Sequence, residues 1–157
     1  MRPPQNGFTM IELMVVVAIA ALLIAVAVPS FVDQIGRRRL EGVANELVAD
    51  LFYARTEAVS KNKQVQLASD AAGTSYTINY VVSAVTPALK THPFASGVAS
   101  TAGATIVFDP LRGGAPTANT IDLTSSQTGA SLRASVSSSG QVGLCSPSAT
   151  FPGYAAC

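Results

Sequence analysis

Hydrophobic positions change their spacing along this chain, and each change predicts a different element. From Leu13 to Val28 sixteen apolar residues follow one another. With Phe8 to Met10, and Glu12 tolerated, the apolar segment covers about 21 positions, or roughly 31 Å as a helix, enough to cross a bilayer core. Residues 8–32 are therefore predicted to form a transmembrane helix. From residue 33 the pattern becomes amphipathic: Leu40, Val43, Leu47, Leu51, Ala54 and Ala58 recur at steps of three and four, a stripe with one buried face. Glu41, Asn45, Asp50, Arg55 and Glu57 are assigned to the opposite face. The two halves, 8–32 and 33–62, can join into one helix of roughly 54 residues and about 80 Å. Pro29 lacks an amide donor and crowds the preceding turn at a cost of about 3 kcal/mol, so a kink or locally melted turn is expected near it. Gly36 is a second weak point, at about 1 kcal/mol relative to alanine.

Beyond Asn62 the period shifts to two. Strands are predicted at Lys63 to Ala68, Tyr76 to Val82, Thr105 to Phe108, Thr120 to Thr124, and Leu132 to Ser137 with Gln141 to Leu144, separated by Gly, Pro and Ser/Thr clusters. Ser83 to Gly103 lacks a pattern and reads as loop or irregular edge. The fold class is α+β: a long N-terminal helix packed on a small antiparallel sheet or sandwich, with residues 63–157 as the β-rich domain.

The chain carries 10 Lys and Arg against 9 Asp and Glu, so no strong field points to nucleic acid or to an acidic docking tail. Cys145 and Cys157 are the two cysteines, and a disulfide is the natural reading if this end lies outside the cytoplasm. Closing that loop would contribute about 3 kcal/mol in the chain-entropy model. Two cysteines and a distant His92 make no zinc site, and neither metal nor cofactor is expected. There is no phosphate-binding glycine loop and no nucleophile with a base, so catalysis is not expected. His92 reads as a loop residue, and Asp109 to Gly114 as a turn.

The first residues depart from a secretory signal. The leader, residues 1–7, is short and polar, and its small residue Gly7 stands before the apolar run, so a cut there keeps the helix. Glu12 is a carboxylate near the start of that helix, at an insertion cost of about 2.5 to 3.5 kcal/mol if unpaired. Arg37, Arg38 and Arg39 would mark the cytoplasmic side under the positive-inside rule, placing the distal domain inside, against the cysteine pair.

Residues 7–15, GFTMIELMV, closely resemble the leader motif of type IV pilins, with Pro29 at a proline common in that family. The distal segments LVADLFYARTEAVSKNKQVQL, IVFDPLRGG and VSSSGQVGLC resemble the GspH/FimT branch of minor pilins and pseudopilins. The resemblance implies cleavage by prepilin peptidase between Gly7 and Phe8, N-methylation of Phe8, and neutralisation by Glu12 of a neighbouring subunit's terminal amine. It also implies a single pass through the bacterial inner membrane with the globular domain in the periplasm, followed by a pilus or pseudopilus whose core is built from the apolar helices. The partners implied are other pilins or pseudopilins and the peptidase. The function expected is that of a minor type IV pilin that primes or tips a pilus, with a type II secretion pseudopilin as the alternative. DNA capture is disfavoured, because the Gly-Arg-x-Arg motif of some FimT-type pilins corresponds here to Gly140, Gln141, Val142 and Gly143, without either arginine.

Overall fold

The computed structural model describes residues 7–81, 88–116, 119–147 and 151–157, the side chains of residues 26–30 lying outside that description. Helix α1 spans Met10–Lys61. Eight strands follow: β1 Val65–Ser69, β2 Ser75–Tyr80, β3 Ala88–Pro93, β4 Val98–Ser100, β5 Thr105–Phe108, β6 Asn119–Ser125, β7 Ser131–Val136 and β8 Val142–Cys145. The chain divides into two compact units, one ending at Ile35 and one comprising Gly36–Cys157.

In the first unit every described side chain from Met10 to Ile35 is exposed. The expected membrane crossing by residues 8–32 is described only in part. Among the described residues no helix is long and apolar enough to cross a membrane, the described side chains stopping at residue 25 and resuming at residue 31. The helix assignment runs through Pro29 without a break.

The second unit holds the core. All six stripe residues of α1 are buried, Leu40, Leu47, Leu51, Ala54 and Ala58 completely. They face two four-stranded antiparallel sheets, ordered β3-β2-β1-β5 and β4-β6-β7-β8. Alternation decides which strand residues join them: Val65 and Leu67, Tyr76 and Ile78, Ile106 and Phe108, Ile121 and Leu123, Leu132 and Ala134 all point inward. Each buried Leu or Ile contributes on the order of 1.5–3 kcal/mol. Gly36 is close-packed: a Cβ there would meet Thr128 Cγ2 at 2.9 Å in the β6–β7 connection. The helix ends where Asn62 takes φ 51°. Lys63 N–H then bonds back to Ala58 O at 3.1 Å and Asn62 N–H to Val59 O at 3.3 Å, a Schellman closure of the last turn.

Three tyrosine hydroxyls fasten carboxylates of α1. Tyr76 donates to Asp50 Oδ2 at 2.6 Å, Tyr80 to Glu57 Oε1 at 2.5 Å, and Tyr154 to Glu41 Oε1 at 3.0 Å. Asp50 was expected on the outward face, and here the structure corrects the sequence reading. It is 6% exposed, and its other oxygen accepts from Lys90 Nζ at 2.7 Å. A buried carboxylate is tolerable because both oxygens are satisfied by donors, one of them charged.

Lys90 belongs to β3, which with β4 lies inside the segment expected to be loop or irregular edge. Residues 83–87 and Val82 fall outside the described residues. Two strands form in the rest because β3 is an edge held by its polar side chains. Lys90 reaches Asp50, and His92 Nε2 lies 2.8 Å from Glu46 Oε1 with its ring stacked on Tyr76 at 5.7 Å. His92 is thus a strand residue and not a loop residue. The expected turn at Asp109 to Gly114 is present, with Asp109 Oδ1 accepting from Leu111 N–H and Gly113 at φ 61°.

Cys145 and Cys157 form a disulfide, their Cα atoms 5.1 Å apart. It lies beside a parallel bridge between Ser146 and Ala156, so the tail is tied along the end of β8.

Removing Lys90 leaves a buried carboxylate with no cation, whereas Asn at position 50 can still accept from Tyr76. Lys90→Met is therefore expected to cost about 1–3 kcal/mol, and Asp50→Asn less, as measured by denaturant unfolding of the full-length protein in detergent; the reverse order would contradict the role given to the pair. Burial and the bond to Asp50 raise the pKa of Tyr76, the bond to Glu57 pushes Tyr80 up to about 12, and burial with Glu41 raises Tyr154. A group whose folded pKa is raised stabilises the fold below its unfolded pKa, 10.0 for tyrosine, and that stability is lost as pH rises through the folded values. Unfolding free energy should fall above pH about 10, less steeply in the Tyr76→Phe, Tyr80→Phe double variant. An equal slope would show that these hydroxyls do not titrate late.

Candidate processing and assembly site

The start of α1 gathers the residues singled out for processing and assembly. Gly7 and Phe8 precede the helix and are exposed, Phe8 at 79%, and nothing approaches within 4 Å of the position where a Cβ on Gly7 would stand. Among the described residues nothing crowds the bond between them. Thr9 caps the helix: its Oγ1 accepts from Glu12 N–H at 3.2 Å while its carbonyl accepts from Leu13 N–H at 3.2 Å. The sequence Thr9-Met10-Ile11-Glu12 therefore has the spacing of a capping box, with Glu12 at its third helical position. That placement also sets the carboxylate against the positive end of the helix dipole. Glu12 is exposed, and among the described residues no side chain bonds its carboxylate. Around it Met10, Ile11, Leu13 and Met14 are 57–82% exposed, a contiguous apolar surface of the kind that marks an interaction site.

The structure brings Gly7, Phe8, Thr9 and Glu12 into one short segment. Pro29 is on the same helix, its side chain outside the described ones, and Cys145 with Cys157 belong to the other unit. Sequence reasoning missed the capping role of Thr9, although a Thr three residues before a Glu at the head of an apolar run is its signature. It also missed the docking role of Asp50. Among the described residues no cluster of His, Cys, Asp or Glu could hold a metal ion.

Two family profiles match. The prokaryotic N-terminal methylation motif covers residues 2–28, and the profile described as type II transport protein GspH covers residues 43–140. The chain belongs to the GspH family. Its structure is similar to that of the type IV minor pilin FimU of Pseudomonas aeruginosa, with TM-score 0.59 and 26% identity, over 75% of this chain and 96% of that one. It shares the fold of the minor pseudopilin EpsH from the Type 2 Secretion System of Vibrio cholerae, with TM-score 0.57 and 12% identity, over 69% of this chain and 98% of that one. A fimbrial protein of Pseudomonas aeruginosa is 35% identical over 79 residues, 50% of this chain and 51% of the relative. The chain spans about half the length of the curated relatives it matches.

This GspH-family chain is a type IV pilin-like protein of the minor pilin and pseudopilin kind. Such families are structural. The methylation motif coincides with the exposed Gly7–Phe8 bond and the capped helix start, and the GspH match begins at Val43, on the buried stripe of α1.

The cap at Thr9 is worth about 1 kcal/mol. Thr9→Ala should therefore raise the hydrogen-exchange rate of the Glu12 amide roughly fivefold in detergent. An unchanged rate would mean that the first turn is held by something else.

Proposed function

We propose that this chain is a minor type IV pilin that primes or tips a pilus. Prepilin peptidase cuts between Gly7 and Phe8, Phe8 is N-methylated, and the chain waits in the bacterial inner membrane with the domain from Gly36 onward in the periplasm. The apolar half of α1 then leaves the bilayer to pack among the helices of neighbouring pilins, Pro29 supplying a kink where that packing needs one. Glu12 meets the terminal amine of the next subunit. The unpartnered carboxylate favours this reading, since it lies amid exposed apolar side chains that only a membrane or other helices could cover. A charge carried into so apolar an environment requires a countercharge, and a protonated amine is of opposite sign and lies at the same depth in an adjacent subunit.

The observation that carries the pilus reading is the likeness to FimU, which extends over 96% of that minor pilin at 26% identity. The second reading, a pseudopilin of a type II secretion system, draws on the family's own description and on the shared fold of EpsH. DNA binding is disfavoured further by the pairing of Arg133, one of two arginines near enough in sequence to serve it. Its Nε and Nη2 donate to Asp122 at 2.6 and 2.8 Å.

Two variants separate cleavage from assembly. Replacing Gly7 with a bulky residue should leave the precursor mass unchanged, whereas a mature mass would refute the cut. Glu12→Ala should be cleaved normally yet reach sheared filaments at about one tenth of the normal amount or less, the loss expected for leaving one charge of a desolvated pair alone. Incorporation at the normal level would sink the role given to Glu12.

A further inference from the structure

Among the described residues, one of the three outward amides along the edge of β8 is occupied. Ser137 N–H donates to Gln141 O at 2.9 Å as the β7–β8 hairpin closes. Antiparallel alternation then turns Gly143 and Cys145 toward β7 and the amides of Val142, Leu144 and Ser146 outward. Ser146 is met by the tail: its N–H donates to Ala155 O at 2.8 Å, and its carbonyl accepts from Cys157 N–H at 3.3 Å. The disulfide between Cys145 and Cys157 stands beside that parallel bridge. Upstream, the tail turns toward α1, where Tyr154 bonds Glu41. Among the described residues nothing bonds the outward amides of Val142 and Leu144.

Across the end of this sheet, reaching β8, lies a groove of about 640 Å³ lined by Phe52 and Arg55 of α1, by Asn119 and Thr120 of β6, and by residues 135–137 and 141–143 of the β7–β8 hairpin. Phe52 is 47% exposed. Arg55 has no hydrogen-bonding or acidic partner among the described residues. Its guanidinium lies against a glycine turn: a Cβ on Gly113 or Gly140 would stand 3.1 or 3.0 Å from Arg55 Nε, and at Gly140 would first meet Gly113 O. An apolar ring, a guanidinium and two backbone amides, the last three without a partner among the described residues, thus border one groove.

We propose that this groove receives an extended, acidic segment of a neighbouring filament subunit. The segment adds as a strand to β8 at Val142 and Leu144, lays an apolar side chain on Phe52 and places a carboxylate on Arg55. Backbone pairing provides affinity that is indifferent to sequence, and the cation selects the acidic strand. The tail already makes a parallel bridge to the residue that follows β8. A nucleic acid fits less well, because its backbone needs several cations in line. Arg112 lines a separate cavity, with Asp109 and Ser138.

The proposal rests on the filament reading, so its test carries a reference position. Full-length protein bearing the photo-crosslinker p-benzoylphenylalanine in place of Phe52, or of Val17 on the apolar half of α1, is irradiated in cells that assemble the filament. Crosslinked peptides are then identified by mass spectrometry. The expected product at Phe52 joins an Asp- or Glu-containing segment of another subunit. Arg55→Glu should lower its yield about tenfold or more, while Arg55→Lys stays within about threefold of the parent. Crosslinking at Val17 with none at Phe52 overturns the groove and leaves the filament reading standing. A product at Phe52 with nucleic acid, with a segment lacking a carboxylate, or with a yield indifferent to Arg55→Glu also overturns it. Absence of crosslinks at both positions overturns the filament reading and the groove together.

Discussion

The folded unit depends on one apolar stripe of α1 meeting two sheets at once. Leu40, Leu47, Leu51, Ala54 and Ala58 lose all contact with solvent, and the inward residues of β1, β2, β5, β6 and β7 pack against them in one continuous cluster. Neither four-stranded sheet could cover its own inner face, and the helix alone would leave its stripe wet. The polar contacts are arranged around this stripe. Asp50 is drawn into the interior among the leucines, and Tyr76, Lys90 and, beside them, the stacked His92 follow because a carboxylate there must be satisfied.

The same helix carries the opposite condition at its other end. Between Met10 and Ile35 every described apolar side chain is exposed. An exposed apolar surface of that length is stable only in lipid or against other helices. One covalent helix therefore contains a stretch buried against the sheets and a stretch whose described apolar side chains stay exposed. A carboxylate and a helix cap stand at the head of the latter, and this division of labour underlies the assignment to filament assembly.

Much of this was legible in the sequence. Period-three and period-four spacing located the buried stripe at all six positions, and period-two alternation located β1, β2, β5, β6, β7 and β8 to within two residues at either end. The missed elements, β3 and β4, have a physical reason in common. Strand β3 is an edge strand with no fully buried side chain, and it is held by Lys90 and His92 reaching carboxylates 40 and 46 residues earlier, so no local alternation betrays it. Strand β4 has three residues, too few to show a period. The error at Asp50 was of another kind. Its spacing from Leu47 and Ala54 placed it on the stripe, and its charge suggested otherwise; geometry prevailed because Tyr76 and Lys90 supplied the donors. At the helix start the family motif singled out Gly7, Phe8 and Glu12 as expectations, while the cap by Thr9 needed only the Thr-x-x-Glu spacing.

The central claim is that this chain acts by assembling into a pilus, and the most direct measurement is the number of surface pili per cell. Electron microscopy of a strain lacking the gene, beside the same strain complemented, should show a clear loss of pili that complementation restores. An unchanged count would contradict the account and shift the assignment to the secretion pseudopilin.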